Sequence, residues 1–462
     1  MTLNSLLGLA RDALAAQSYG LDVTGQNVNN VNTPGYVRRD AMLVARPVGV
    51  ETFGGVDAAG LRRLVDGFAG ARYLDASGQS SSASQRDSAL GALEGLFDDA
   101  NGTGLGGPIS QLFASFSALA ANPSDPTARG QVLASVEGLA SRLRDTAGAI
   151  SSQRASLLDQ GKMVASEVNE RAGKIASLND KIAVAQGLGK DAADLLDQRD
   201  VLVDEIAQRV DVKTFTDGSG RLVVRAAGGT LVEGNVAGKL GVAVDASGAM
   251  RVSIARPGGA GAVDVTGSLV GGTLAGLREA RDVDAPAISD KLDSLAYGIA
   301  TAVNGVHAGG FGLDGVGGRP LFSVSATPAG AASSLALDAA MVGHPERVAA
   351  SSSAATLPGG SDLATKLAGL AGVATVGGQT AADAYGSLIG DVGLRKAGAA
   401  QDASVQEAMQ SQAKSMRDAS SGVSLDEEMI NLSRYQRAYQ AATKLMATVD
   451  QMMNDLVTGL VR

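Results

Sequence analysis

The 462-residue sequence predicts a mainly α-helical protein with a small inserted β domain, its N- and C-terminal helices paired as a coiled-coil-like rod beside a bundle of long helices. Three observations predict this class. Both ends carry apolar residues at the 3.5-residue spacing of a supercoiled seam. Long stretches between residues 90 and 182 repeat their apolar positions at helical spacing, and from Asp211 to about Gly271 the period falls to two.

The first helix is read from Leu3, Leu7, Ala10, Leu14, Gln17, Leu21, Thr24, Val28 and Val31, which step by four and three. A helix of this kind could lie on a membrane surface, but Arg11 is the only basic residue before Arg38, and such anchors carry a Lys/Arg-rich polar face. It ends in Asn29-Asn30-Val31-Asn32-Thr33-Pro34-Gly35-Tyr36. Here Pro34 presets the first central position of a type II turn, Gly35 supplies the positive φ, and Thr33 is pushed extended. Residues 41–65, with short apolar runs around Val44 and Val48–Val56, read as an extended connection.

Helical spacing then governs Leu90, Leu93, Leu96 and Phe97, next Ile109 to Leu119, and next Val132 to Ile182. Pro108 suits a helix start, and Asn122-Pro123-Ser124-Asp125-Pro126 is a break between two helices. Short strands follow, with turns at Asp217–Gly220, Asp245–Gly248 and Pro257–Gly261. Gly271-Gly272 returns the chain to helix, whose apolar face is Leu292, Leu295, Ile299 and Val303. Residues 312–360 read as loop with one strand near Leu335–Leu337. Leu363–Leu370 and Asp383–Met416 read as helices, the second broken or loosened by Gly386, Gly390, Gly393 and Gly398.

No Gly or Pro interrupts the chain between Val423 and Thr458, so the C-terminal stretch from Ser424 is one helix ~54 Å long. Its seam is Leu425, Met429, Leu432, Tyr435, Tyr439, Ala442, Met446, Val449, Met453, Leu456 and Leu460. Ser424 and Glu427 read as a capping box, with Asp426, Glu427 and Glu428 favoured by the helix dipole. A second apolar set, Ile430, Ala438, Ala441, Leu445 and Met452, widens the arc, so this helix needs more than one neighbour. The division expected is a terminal core of 1–40 with 415–462, a helical bundle of 41–210 with 280–414, and a β insertion of 211–279.

Composition narrows the function. Aromatic residues make up 3% of the chain and Gly numbers 61, so the core is thin and built of Ala, Leu and Val, with part of the stability expected from assembly. A net charge of −9 argues against nucleic acid and anionic membrane as partners. The absence of cysteine excludes disulfides, thiolate metal sites and a cysteine nucleophile. MTLNSLLGLARDALAAQ has no basic n-region and no unbroken apolar core, so it does not read as a cleavable secretory signal. No stretch approaches the ~18 apolar residues that span a bilayer.

The string Asn-Val-Asn-Thr-Pro-Gly-Tyr closing a heptad helix resembles the N-terminal signature of bacterial flagellar rod, hook and hook-associated proteins. Gly422-Val423-Ser424-Leu425-Asp426-Glu427-Glu428-Met429, continued by Leu432, Tyr435-Gln436, Ala438-Tyr439 and Ala441, is similar to their C-terminal signature. Ala120-Ala121-Asn122-Pro123 with Asp125 and Arg129, and Asp194-Leu195-Leu196-Asp197-Gln198-Arg199-Asp200, resemble the hook-associated protein 1 family within that group.

The resemblance implies a non-catalytic structural subunit that joins hook to filament, is exported through the flagellar type III channel, and stands outside the cell. Its implied partners are copies of itself, the hook protein, the next hook-associated junction protein, and an export chaperone at the C-terminal helix. It also implies terminal segments that are poorly ordered in the free subunit and order against neighbours. The implied subunit-interface residues are Leu3, Leu7, Leu14, Leu21, Val28, Leu425, Met429, Leu432, Tyr435, Tyr439, Met446, Val449, Met453 and Leu456, with Asn32, Thr33, Pro34, Gly35 and Tyr36 as the family turn. The rival readings are a hook or distal rod protein, and, from another class, a secreted hydrolase or adhesin acting through the β domain.

Chemistry finds little support in the sequence. The two histidines, His307 and His344, stand in no metal-ligand spacing, and no G-x-S-x-G elbow is present. Asp314-Gly315-Val316-Gly317-Gly318 lacks the alternating carboxylates of a calcium loop and the Lys-Ser/Thr of a phosphate loop. Asp197–Glu205 reads as a solvated helix face with i,i+4 charge pairs. No enzyme activity, cofactor or metal is expected.

Overall fold

A computed structural model describes residues 3–46, 54–100, 102–218, 220–259 and 261–460. The chain begins with helix α1 (Leu3–Asn29), followed by strands β1 (Arg39–Arg46) and β2 (Gly55–Arg63) and helices α2 (Gly67–Glu94), α3 (Gly106–Ala121), α4 (Pro126–Gly187) and α5 (Ala193–Ala207). The β insertion contains β3 (Val212–Thr216), β4 (Leu222–Ala226), β5 (Gly229–Glu233), β6 (Val236–Ala237), β7 (Lys239–Val244), β8 (Met250–Ala255) and β9 (Ala262–Asp264). Next come α6 (Thr273–Glu279), α7 (Ala285–His307), β10 (Phe322–Ser323), α8 (Ala331–Ser334), β11 (Ala336–Leu337) and α9 (Asp362–Gly369). Two long helices close the chain, α10 (Ala381–Ser421) and α11 (Leu425–Leu460).

Helix α4 is the spine. Its 62 residues make a rod about 93 Å long. It starts where the Pro-rich break predicts: Pro126 follows the cap residue Asp125, whose carboxylate accepts from the Thr127 amide at 2.8 Å. The N-terminal half of α4, from Val132 to Ile150, packs with α3, α7 and α9 around Phe113, Phe116, Leu292 and Leu367. Its C-terminal half, from Ala165 to Ala176, packs with α5 and the strands around Val224, Leu231, Val252 and Ile254. One helix therefore carries the bundle core and the β core on different lengths of the same rod.

The insertion consists of two antiparallel sheets, one ordered β3-β4-β5-β6 and one ordered β7-β8-β9. Gly272, at φ +80°, leads out of it; a Cβ there would stand 2.3 Å from the Val210 amide nitrogen, so only glycine fits where the chain re-enters helix.

Two expectations change. The 41–65 connection is a β hairpin, with Arg39 opposite Arg63 and Arg46 opposite Gly55, and a bulge between Met42 and Leu43; the part of its apolar run at 48–53 lies outside the described residues. Helix α10 is continuous through Gly386, Gly390, Gly393 and Gly398. A Cβ on any of these glycines would meet nothing within 4 Å, so they sit on open surface. Their propensity cost of about 1 kcal/mol each is overcome by packing of α10 along α2, where Arg417 stacks 3.7 Å above the Tyr73 ring and Lys396 pairs with Asp87 at 2.6 Å. Fully buried Asp284 ties the same region together, accepting from Arg86 on α2 at 2.8 and 3.0 Å and from Arg395 on α10 at 3.1 Å.

Candidate assembly interface

Helices α1 and α11 lie antiparallel, since Gly20 meets Tyr435 while Asn27, seven residues later, meets Glu428, seven residues earlier. On α1 the residues turned fully inward are Ala10, Ala16, Val23, Thr24 and Asn27. On α11 they are Glu428, Tyr435, Ala442 and Val449, one per heptad. The contact line on α1 is thus made of small side chains, which lets the two backbones approach closely. A Cβ on Gly20 would fall 2.5 Å from Tyr435 Cε1, so the glycine is the seat of that ring.

The seam leucines stand beside this line. Leu3, Leu7, Leu14, Leu21 and Val28 are half-buried, as are Leu432 and Met446. Leu425, Met429, Tyr439, Met453 and Leu456 are exposed, as are Ile430, Leu445, Met452 and Val457. Of the α11 residues read as an interface, Tyr435 and Val449 are covered within the subunit, and the rest face outward wholly or in part. Ala10, Thr24 and Ala442 stood in the seams read from sequence, whereas Ala16 and Gly20 were missed because a search for heptad-spaced apolar side chains passes over the small residues that mark the closest approach.

Where this helix pair joins the body, a polar hub replaces apolar packing. Asn27 donates to the Arg39 carbonyl at 2.8 Å and to Glu428 at 3.2 Å, and its oxygen accepts from the Arg39 amide at 3.1 Å and the Tyr36 hydroxyl at 2.8 Å. Every hydrogen-bonding capacity of the buried amide is used. Arg38 donates from Nε to Glu428 at 2.8 Å and from Nη1 to Glu427. That pairing takes up the Glu427 carboxylate read as half of a capping box. The turn residues act as expected in backbone terms, with Gly35 at φ +79° and the Tyr36 amide bonded to the Thr33 carbonyl at 3.2 Å. Asn32, Thr33, Pro34 and Gly35 are exposed, and Tyr36 is half-buried.

The hub continues into α5. Arg39 reaches Asp194 at 2.6 Å and Asp197 at 2.7 Å, while Arg63 reaches Asp197 at 2.9 Å and Asp200 at 2.7 Å. Asp197 and Arg199 are each 8% exposed, and Arg199 donates to Asn179 at 3.1 Å. This corrects the solvated-face reading of Asp197–Glu205: Asp197 and Asp200 meet two arginines of the β1–β2 hairpin, while Asp204 pairs with Arg417 of α10 and Glu205 with Arg171 of α4. The sequence signal was there, in the two arginine doublets Arg38-Arg39 and Arg62-Arg63, which carry four positive charges beside the single Asp40. Burial opposes the charge of Arg39, yet hydrogen bonds to Asp197 and Asp194 outweigh it and hold its pKa above the ordinary value. Burial likewise raises the Tyr36 phenol.

Both histidines are held by neighbouring groups. His307 donates from Nδ1 to the Arg319 carbonyl at 2.7 Å and accepts at Nε2 from the Ala349 amide at 2.8 Å. His344 contacts Glu346 at 2.9 Å at a half-exposed site. Among the described residues no group of three His, Cys, Asp or Glu side chains is placed to hold a metal ion, and no helix is long and apolar enough to cross a membrane.

Residues 90–322, half of the chain, match the family model of the flagellar hook-associated protein FlgK helical domain. The chain belongs to the FlgK family of flagellar hook-associated proteins. Residues 7–36 match a flagella basal body rod protein model, and residues 409–458 match the flagellar basal body rod FlgEFG protein C-terminal model. The chain is 31% identical over 332 residues to flagellar hook-associated protein 1 of Salmonella typhimurium, a match covering 70% of this chain and 60% of that protein. It is 27% identical over 504 residues to flagellar hook-associated protein 1 of Bacillus subtilis, covering 99% of each. Among solved structures, the flagellar hook junction protein FlgK from Burkholderia pseudomallei aligns with a TM-score of 0.51 at 27% identity, over 55% of this chain and 47% of that one. The two rod-type models cover most of the α1–α11 helix pair and the hub residues Asn27, Tyr36, Glu427 and Glu428, whereas Arg38, Arg39, Arg63 and the α5 carboxylates lie outside them.

Proposed function

We propose that this FlgK-family chain is a non-catalytic subunit that joins the flagellar hook to the filament and assembles through its terminal helices. The observation that carries this reading is the uncovered apolar surface of α11. Ile430 is 66% exposed, Met429 57% and Met452 49%, on both sides of a stripe that α1 already covers. A surface helix with apolar side chains on both flanks gains stability only when neighbours cover them.

The neighbours are copies of this chain, the hook protein on one side and the next hook-associated junction protein on the other. The same flanks suit an export chaperone before assembly, and the subunit leaves the cell through the flagellar export channel to stand outside it. The hook or distal rod alternative is disfavoured by the helical domain at 90–322, which is the part of the chain that the FlgK model describes.

A deletion strain tests the reading: normal hooks without filaments are expected, whereas loss of the hooks themselves would point to a hook or rod protein. Complementation with Ile430→Asp/Met452→Asp adds the mechanism. Both side chains are exposed, so the monomer folds and is exported, as immunoblotting of the culture supernatant checks. Filaments nevertheless fail to form, because two carboxylates are buried in the subunit contact. Full filaments from an exported double variant would refute assembly through this surface.

A further inference from the structure

Arg434 and Asp450 are exposed on α11, and neither has an ion-pair partner among the described residues. Arg434 has only the Tyr435 ring, 5.0 Å from its guanidinium carbon. It stands on the lining of a cavity of about 240 Å³ that it shares with Gly20, Thr24, Arg38, Arg39 and Tyr435. Inside that cavity wall, Arg39 is 5% exposed and its Nε has no hydrogen-bond acceptor. A buried guanidinium N–H without a partner is a costly omission in a hub where every capacity of Asn27 is used. The carboxylates close by are committed: Glu428 to Arg38 and Asn27, and Asp40 to Arg62 at 3.1 Å. The cavity therefore offers an anion two cationic side chains and a free donor.

We propose that the anion is the Asp450 carboxylate of a second copy of this chain, and that this contact sets the axial stagger between neighbouring subunits. The inference rests on the assembly reading above. Sixteen residues separate Arg434 from Asp450, which at 100° per residue places them about 160° apart around α11 and about 24 Å apart along it. They lie on opposite flanks of the stripe that α1 covers. A side-by-side contact between parallel copies joins one flank of a subunit to the other flank of the next, so a displacement of about 24 Å brings the two unpaired charges together. The same displacement sets Ile430 beside Met446 and Ala441 beside Val457, so the apolar flanks match as well. An unstaggered ring would instead put Arg434 near Leu432 and Gln436 and leave both charges unpaired. Because the contact is head-to-flank and displaced, successive copies climb rather than close in a plane.

The chain has no cysteine, which gives a clean test. Subunits carrying Arg434→Cys and Asp450→Cys together are assembled in cells and oxidised; a ladder of disulfide-linked multimers is expected, and neither single variant cross-links. Single variants that cross-link to themselves would show a two-fold contact between like flanks and overturn the inference. In parallel, Arg434→Asp and Asp450→Arg should each lower filament number about tenfold, and the combined Arg434→Asp/Asp450→Arg chain should restore it. Circular dichroism of each purified monomer checks that folding is unchanged. If Ile430→Asp/Met452→Asp blocks filaments while the charge variants assemble normally, the stagger is wrong and the assembly surface stands. If all of them assemble normally, the assembly reading itself falls.

Discussion

Asn27 and Glu428, 401 positions apart in the chain, share a 3.2 Å hydrogen bond at the joint between the terminal helix pair and the body. Glu428 is 1% exposed, so its charge is tolerable only with Arg38 and Asn27 in place. Asn27→Ala would leave the Arg39 amide, the Tyr36 hydroxyl and one Glu428 oxygen without this partner, at a cost of about 3 kcal/mol. The joint is what loosens. Limited proteolysis of dilute monomer should trim roughly the first 40 and last 45 residues ahead of the bundle, because ordering costs ~1–2 kcal/mol per residue and α1 covers only one stripe of α11. Asn27→Ala should speed that trimming without exposing α4. Equal trimming rates in the two proteins would count against the hub.

Val449→Asp tests the inner line of the helix pair. Val449 is 2% exposed, so the carboxylate would be buried where an apolar side chain packs now. A loss of about 3 kcal/mol of pairing is expected, seen as reduced helix signal at low temperature while the melting of the bundle is unchanged. Ile430→Asp, on the exposed flank, should leave the same monomer signal intact.

Asp284→Ala takes the shared anion from Arg86 and Arg395, which are part-exposed, and Arg395 keeps Asp391 at 2.9 Å. Losing three charge-assisted hydrogen bonds to a buried carboxylate with that partial compensation costs about 2 kcal/mol. Thermal unfolding of the bundle should fall accordingly, and a shift under 1 °C would show that the cluster contributes nothing.

Burial pushes His307 down to about 4, so the folded protein keeps the neutral ring that accepts from Ala349. The unfolded chain takes up a proton near pH 6.5, whereas the folded chain resists until about pH 4. Between those values the unfolded state binds more protons, so stability present above pH 6.5 is lost as pH falls, by about 1.4 kcal/mol per unit. His307→Asn should flatten the wild-type slope of unfolding free energy across that window. Parallel slopes in the two proteins would contradict the assignment.

The long elements were legible because their periods are long: α4, α7 and α11 repeat an apolar face over many turns, and Asp125-Pro126 and Pro34-Gly35 mark their punctuation. The hairpin β1–β2 was not, because charges interrupt its alternation: Arg39 and Arg63 serve the hub, and Asp40 and Arg62 pair with each other on the surface. The four glycines of α10 read as breaks because propensity is local, whereas the contacts with α2 that hold the helix come from residues some 300 positions away. On α11 the outward apolar set was visible in sequence. Its inward counterpart on α1 was not, since Gly20 and Ala16 gain their role only from Tyr435 and its neighbours across the contact.

The separation between Asn27 and Glu428 also has a meaning in time. At ~5–20 residues per second, a ribosome that has finished α1 needs on the order of 20–80 s to deliver the partner helix. Through that interval the first helix can close only on the β1–β2 hairpin, through Asp12 with Arg46 and Asn27 with Arg39, and the face that α11 covers stays open while the rest of the body forms. The rod is therefore the last part of the chain able to fold, and a nascent or freshly translated subunit passes through a stage with a finished body and two loose ends.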